Sequence, residues 1–199
     1  MRHRRKGRVL GRSPSHQRAL LRNLASALFL TERDAEDDDN APKTKGRIIT
    51  TIQKAKEVRP LVERCITIAI RSLKHAEAAQ PYSPPAGADG RVERNSQTYR
   101  DWRNGGDYGR WRAAMAPVVA ARRRVFALLR DHQATRICFD EVAPRFVGRP
   151  GGYTRIIRLA KPRLGDAGTR ALLEFVGKND RLVQRGQAPQ VEPETAPAT

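Results

Sequence analysis

The chain has 199 residues, with 39 lysines and arginines against 21 aspartates and glutamates, and a formal net charge of +18. A chain this positive repels itself when compact unless a polyanion neutralises it, so we expect a nucleic acid as its partner. No apolar stretch approaches the ~20 residues needed to span a bilayer, and no apolar secretory segment follows the first charges. Cys65 and Cys138 lie in apolar-periodic stretches typical of a core in a reducing compartment, so we expect a cytoplasmic protein.

The positive charge is concentrated at the N-terminus. Residues 1–30 carry eight lysines and arginines and no acid. Residues 1–12 are interrupted by two glycines, so we expect an extended arm whose guanidinium groups bind phosphate oxygens. A tail that is merely soluble is the alternative. His3 and His16 lack cysteine or carboxylate neighbours at metal-ligand spacing, which favours phosphate or base contact over a metal site.

Ser13 and Pro14 predict the start of a first helix, because serine is a good N-cap and proline fits the first helical turn. The apolar positions that follow at helical spacing are Leu20, Leu21, Leu24, Ala27 and Leu28. Arg18, Arg22 and Asn23 fall outside this stripe, which gives the helix an outward face with arginines.

A short β-branched run at residues 48–51 predicts one strand. Thr50 and Gln53 resemble a capping box that opens a second helix. Pro60 lies inside that helix, where we expect a kink. The apolar positions expected on its buried side are Ala55, Val58, Val62, Cys65, Ile66, Ala69, Ile70 and Leu73.

Residues 76–113 show little apolar periodicity and are interpreted as an insertion. The insertion contains five aromatic residues, Tyr82, Tyr99, Trp102, Tyr108 and Trp111. Aromatic rings beside arginines can stack on unpaired bases, or they can cap the domain's own apolar edge or pack on a neighbouring protein. The sequence leaves these alternatives open. Helical spacing returns at residues 115–129, which include three consecutive arginines, and a short helix is expected around residues 134–142.

The last third of the chain predicts a β-hairpin with strands at residues 153–159 and 171–176. A glycine-rich segment at 148–152 precedes it and allows a sharp turn or a close approach to a partner. The predicted fold is α+β, a two-layer domain in which helices cover one face of a small mixed sheet of about three strands, with a basic N-terminal extension.

Nothing in the sequence indicates an enzyme. The acidic tract at residues 34–39 is contiguous and flanked by loop residues, which favours a solvated loop over a metal site held on rigid elements. The sequence has no Walker-type glycine loop, no Cys-x-x-Cys pair and no Gly-x-Ser-x-Gly elbow. His75 and His132 have no companion that suggests a nucleophile–base pair. We therefore expect no catalytic residue, metal or cofactor.

Several blocks, in the same order, resemble the bacterial large-subunit ribosomal protein seventeen family. The blocks are Met1–Arg12, Ser15–Ala19, Arg22–Leu24, Ile49–Arg59, Ala143–Ile156, Arg163–Asp166 and Leu172–Val176. Each is separately improbable, so the resemblance is specific. It does not extend to an acidic loop at residues 33–46, to the insertion at 76–113 or to the tail beyond about residue 178.

The resemblance implies a structural protein of the large ribosomal subunit, without a cofactor. Members bind 23S rRNA on the solvent side near the polypeptide exit tunnel, beside other ribosomal proteins, and support subunit assembly and translation. Carried onto the matching positions, the resemblance implies rRNA contacts at Arg2, His3, Arg4, Arg5, Lys6, Arg8, Arg12, His16, Arg18, Arg22, Asn23, Lys54, Lys56, Arg145, Arg149, Tyr153 and Arg155.

We predict that residues 1–177 form a single rRNA-binding domain and that residues 178–199, rich in proline, alanine and glutamate, form a flexible tail. Two hypotheses of other classes remain at this stage. One is a free-standing basic nucleoid or RNA-chaperone protein that uses the same positive surface. The other is a nuclease built on the acidic tract.

Overall fold

The computed structural model describes residues 7–35, 39–86 and 92–177. In chain order its elements are α1 (Pro14–Leu30), β1 (Arg47–Thr51), α2 (Ile52–Ala79), a 3₁₀ turn (Gln80–Tyr82), α3 (Gln97–Asn104), α4 (Gly106–Leu129), α5 (His132–Ile137), a π-helical turn (Cys138–Val142), α6 (Ala143–Arg145), β2 (Thr154–Arg158) and β3 (Arg170–Phe175). Helices pack on one face of a three-stranded sheet, which confirms the predicted α+β class. Within the described residues, no helix has both the length and the apolar character that crossing a bilayer requires.

The sheet has the strand order β1-β3-β2, and both pairings are antiparallel. The prediction of a mixed sheet is therefore wrong, whereas the predicted hairpin of β2 and β3 is confirmed. In the register of the sheet, Ile49 lies opposite Leu172, and Leu172 lies opposite Ile157. The direction of β1 depends on how the intervening helices return the chain to the sheet, and local sequence patterns carry no signal for this.

Helix α2 is the centre of the helical layer. Six of the eight positions predicted for its apolar side are fully buried, and Ile70 and Leu73 are partly buried against the same core. The helix continues through Pro60. Proline has no N–H group to donate within the helix, and this residue lies on the exposed side, where its ring faces solvent. The largest side chains sealed into the core are Leu28, Phe29, Val58, Val62, Cys65, Ile66, Val125, Cys138, Val142 and Leu173.

Helix α1 begins as predicted, because the Ser13 side chain accepts a hydrogen bond from the His16 N–H at 3.2 Å. Its buried side differs slightly from the predicted stripe, since Ala27 is exposed. Ser26 is buried instead, and its hydroxyl donates to the backbone oxygen of Leu129 at 3.3 Å. Apolar spacing alone misses such a position, because a buried serine counts as polar until its partner is known.

Two further local predictions need correction. The residue that caps α2 is Thr51, not Thr50, and its side chain makes no capping hydrogen bond. Residues 76–113 are largely helical, because they contain the end of α2, the whole of α3 and the first turns of α4. The short helix expected around residues 134–142 begins at His132 and ends in the π-helical turn.

A junction at the end of α1 joins the helices to the sheet. The buried carboxylate of Glu32 accepts a hydrogen bond from Arg145 Nη2 at 2.8 Å. Gly46 has a φ of +74°, and a Cβ at this position would lie 2.8 Å from Glu32 Oε1. The Gly46 N–H donates to Thr31 Oγ1 at 3.0 Å, and its carbonyl accepts from the N–H of Phe175 at 2.9 Å. Glycine is therefore required here both for its backbone conformation and for space.

We expect Arg145→Ala to lower the free energy of unfolding by about 1–2 kcal/mol, because it leaves the buried carboxylate of Glu32 without this partner. The half-exposed position of Arg145 keeps the effect below that of a fully buried pair. Arg136→Ala is the matched control, since Arg136 is 80% exposed in its 3.6 Å pair with Asp140 and the change should cost under about 0.5 kcal/mol. Urea unfolding measures both values. Equal stability of the two variants would contradict this account of the junction.

The two cysteines are expected to be unreactive in the folded protein. Burial raises the pKa of Cys65 to about 12 and raises that of Cys138 well above its ordinary value. The reactive thiolate is thus nearly absent at pH 8. A thiol-specific colorimetric reagent should label both thiols only after denaturant is added. Rapid labelling in native buffer would show that the core opens far more readily than this packing indicates.

Candidate nucleic-acid interface

The described part of the N-terminal arm, residues 7–12, lies along the first turns of α1. Gln17 Nε2 donates to the backbone oxygen of Arg8 at 2.6 Å, and the Arg12 N–H donates to His16 Nδ1 at 3.3 Å. Gly11, with a φ of +151°, allows this approach, since a Cβ there would lie 3.0 Å from His16 Nδ1. Of the predicted contact residues, Arg2, His3, Arg4, Arg5 and Lys6 lie outside the described residues.

The outward face of α1 carries the basic residues that its sequence predicts. On this face Arg18 and Asn23 are exposed and Arg22 is partly exposed, and Arg12 of the adjoining arm is exposed as well. Within the described residues, none of these three arginines has a carboxylate within ion-pair distance. The face therefore keeps its full positive charge.

Arg8 connects this face to a second basic feature. Its Nε lies 3.6 Å from Glu57 Oε1 on α2, so the arm spans from α1 to α2. Beside it, between the first turns of α2 and strand β2, the surface forms an open groove of about 600 Å³. A smaller recess of about 200 Å³ extends the groove to Arg8 itself. We call this feature the basic groove, and its charged residues are Arg8, Lys56, Arg59, Arg155 and Arg158.

Three carboxylates hold part of this charge in place. Arg8 pairs with Glu57 as described, the Nε of Arg59 lies 3.0 Å from Glu63 Oε1, and the Nε of Arg155 lies 2.5 Å from Glu174 Oε1. The side chains of Arg59 and Arg155 remain about half exposed.

The other two cations of the groove keep their charge. Lys56 and Arg158 are exposed, and neither has a carboxylate partner among the described residues. Both line the main groove and the recess. The groove thus offers two unneutralised cations at its centre, with anchored arginines around them.

Arg145 lies apart from the groove. It lines a different recess, together with Glu32 and Glu174, and lines neither the main groove nor the recess at Arg8. The hydrogen bond to Glu32 is the main cause of a raised pKa for Arg145. Its guanidinium is thus committed in part to the junction, and its first role is structural.

The segment before β2 also has a structural role. Tyr153 is only 4% exposed and packs on Phe146 with ring centroids 5.2 Å apart. Its hydroxyl donates to the backbone oxygen of Arg149 at 3.2 Å, and Arg149 Nε donates to the backbone oxygen of Gly151 at 3.3 Å. This burial leaves little of the Tyr153 ring exposed, and its predicted contact with RNA stays a prediction. Lys54, in the first turn of α2, is partly exposed.

The sequence prediction missed two groove residues, Arg59 and Arg158. Arg59 follows Lys56 by three positions on α2, so helical spacing could have added it to the set. Arg158 has no such signal. It lies on β2 three residues after Arg155, and only the packing of β2 beside α2 brings it next to Lys56.

A surface of this kind binds anions by charge and by hydrogen bonds from guanidinium and ammonium groups. Phosphodiester groups fit it best, because a polyanion releases counterions from every phosphate that a cation neutralises. The carboxylates near the groove are engaged with arginines, which suits them to orienting those cations.

Comparison with known proteins agrees with the resemblance seen in the sequence. A family model described as "Ribosomal protein L17" matches residues 20–176. The large ribosomal subunit protein bL17 of Rhodopirellula baltica is 60% identical over 192 residues, which cover 96% of this chain and 89% of that protein. The protein of the same name from Nitratidesulfovibrio vulgaris strain Hildenborough is 35% identical over 88% of this chain and 87% of its own length. That of Thermomicrobium roseum is 34% identical over 88% of this chain and 99% of its own length.

The alignment with the Rhodopirellula baltica protein extends across the region of the insertion at residues 76–113, since it covers 96% of this chain. The family model spans the groove residues on α2 and β2, both hairpin strands and most of α1, but not Arg8. From the fold, the basic surface and these matches together, the chain belongs to the ribosomal protein L17 family.

Proposed function

We propose that this protein, a structural constituent of the ribosome, binds 23S rRNA in the large subunit near the polypeptide exit tunnel. Binding there supports subunit assembly and translation in the cytoplasm, beside neighbouring large-subunit proteins. The location near the tunnel rests on the family resemblance. The proposed contact surface rests on the structure. Its main support is the basic groove, where Lys56 and Arg158 lie together without a carboxylate partner among the described residues.

The proposed contact surface has two connected parts. The first is the outward face of α1 with the arm, including Arg12, Arg18 and Arg22. The second is the basic groove, which Arg8 joins to the first. Residues 1–6 extend the arm, and the resemblance assigns their cations to the same interface. Sequence is not read through such contacts, because side chains do not reach the bases in the deep major groove of A-form RNA. Shape and phosphate position give the specificity.

The chemistry of the surface fits a binding role. Apart from those of the arm, its cations lie on α1, α2 and β2, which are fixed by the core, so they are positioned before RNA arrives. A cation that is already in place loses less conformational freedom on binding than one on a disordered tail. Arg59 and Arg155 are further fixed by Glu63 and Glu174. The groove is thus a preformed site for a sugar-phosphate backbone.

We expect binding of the full-length protein to 23S rRNA to depend steeply on salt. If six to ten phosphates are contacted, affinity should fall by roughly 10³–10⁵ between 50 and 200 mM salt. Filter binding over a salt series measures this. Affinity that barely changed would contradict an electrostatic interface. Equal affinity for duplex DNA at every salt concentration would favour a nucleoid protein instead.

The groove can be tested with the double variant Lys56→Gln and Arg158→Gln. Removing two phosphate contacts should reduce the slope of log affinity against log salt by roughly one to two. The charge-conserving pair Lys56→Arg and Arg158→Lys is the matched control and should keep most of the slope. If the glutamine variant keeps the slope of the unmodified protein, the groove does not contact phosphate.

A further inference from the structure

The insertion at residues 76–113 is built around an aromatic cluster. Trp102 of α3 lies at its centre, with ring centroids 5.4 Å from Tyr99, 5.3 Å from Tyr108 and 5.6 Å from Trp111. The Trp102 Nε1–H donates to the backbone oxygen of Tyr82 at 3.0 Å, which ties α3 to the turn after α2. The cluster therefore fixes α3 on the first turns of α4.

The rings of this cluster are occupied by one another and by arginines. Tyr108 and Trp111 are stacked with centroids 6.4 Å apart, and the guanidinium of Arg103 lies 5.7 Å from the centroid of Tyr108. The guanidinium of Arg110 lies 5.8 Å from the centroid of Tyr82. Of the alternatives left open by the sequence, the packing of the domain's own edge accounts for these contacts.

The surface outside the cluster is strongly positive. Between residues 92 and 130 there are nine arginines and three carboxylates. Two of the carboxylates are engaged, since Asp107 pairs with Arg110 at 3.6 Å and Asp101 accepts from Gln97 Nε2 at 3.0 Å. Seven of the arginines are exposed and have no carboxylate partner in the parts of the chain that the structure describes. They are Arg94, Arg100, Arg103, Arg112, Arg123, Arg124 and Arg130.

Two of these arginines lie on the same side of α4. Arg112 and Arg123 are eleven residues apart, which is about three helical turns and roughly 16 Å along one side of the helix. Ala116 and Val119 lie between them on that side, and Val119 is 42% exposed. Short side chains between two long cations allow a bulky backbone to approach the helix closely.

We propose that the α3–α4 surface marked by Arg100, Arg112 and Arg123 is a second, preformed binding site for the phosphodiester backbone of rRNA. It is separate from the basic groove, because it lies on different elements, α3 and α4 in place of α2 and β2. One protein then holds two segments of rRNA against a single rigid domain. The inference rests on the proposed binding to rRNA. A partner protein with an acidic face is the competing occupant.

The phosphate backbone fits these observations better than an acidic protein does. The cations are spread over two helices and are not gathered in one pocket, and the surface between them on α4 is small and low. The arginine count exceeds the carboxylate count three to one over the whole segment. Such an extended, uncompensated surface is typical of contact with a polyanion of regular charge spacing.

The test compares two triple variants of the full-length protein on transcribed 23S rRNA. Arg100→Gln, Arg112→Gln and Arg123→Gln together should reduce the slope of log affinity against log salt by roughly two to three. The matched triple lysine variant should keep most of the slope. Hydroxyl-radical footprinting should show that the glutamine triple loses one protected rRNA segment. The groove variant should lose a different segment.

Two outcomes would overturn the inference while leaving the proposed function intact. One is an unchanged slope and footprint for the glutamine triple when the groove variant loses both. The other is cross-linking of the insertion only to protein in native large subunits. If the unmodified protein protects no segment of rRNA, the proposed function itself fails. Glutamine is a good helix former, so circular dichroism should confirm that all variants keep the same helical content.

Discussion

The packing of α2 is the interaction on which the rest of this structure depends. One side of this 28-residue helix supplies six fully buried residues, and α1, α4 and the sheet all pack against it. Each Å² of apolar surface that these residues bury stabilises the fold by about 25 cal/mol. Without the apolar side of α2, the other elements would have no common core to pack against. The flank of this buried side carries Lys56 and Arg59, in the first turns of α2, into the groove. The helix thus builds the core and positions the candidate interface at once.

A second constraint is the self-repulsion of a chain with a net charge of +18. The fold reduces this repulsion locally, because carboxylates lie beside some of the arginines. Glu32 and Glu174 are both buried and pair with arginines from other parts of the chain. Glu32 pairs with Arg145. Glu174 lies between Arg47, at 3.7 Å, and Arg155, at 2.5 Å. These pairs fix the junction and the sheet, whereas Lys56 and Arg158 in the groove and the unpaired arginines of α1 and α4 keep their charge for a partner. Some arginines predicted to bind RNA therefore also pair with carboxylates of the fold.

Much of this architecture follows from local patterns, and the exceptions have physical causes. The start of α1, the buried side of α2 and the closing hairpin all show in the spacing of apolar residues and in Ser13-Pro14. The antiparallel direction of β1 and the burial of Ser26 do not follow from local patterns, because both depend on contacts distant in sequence.

The helices of the insertion were missed because their apolar residues are aromatics that pack on each other across α3 and α4. This packing removes the apolar period of a single helix. At the candidate interface, Arg8 and Lys56 could be predicted, but Arg158 could not, and the sequence does not show that the ring of Tyr153 enters the core.

We propose that this large-subunit protein contacts rRNA through the arm, α1 and the groove between α2 and β2. Ultraviolet cross-linking of native large subunits, followed by mass spectrometry of the peptides that carry nucleotides, tests this contact. We expect the protein in near one-to-one amount with the subunit, and rRNA adducts on peptides that include Lys56 and Arg158. A protein that sediments with DNA, or a subunit in which these peptides carry no adduct, would contradict it.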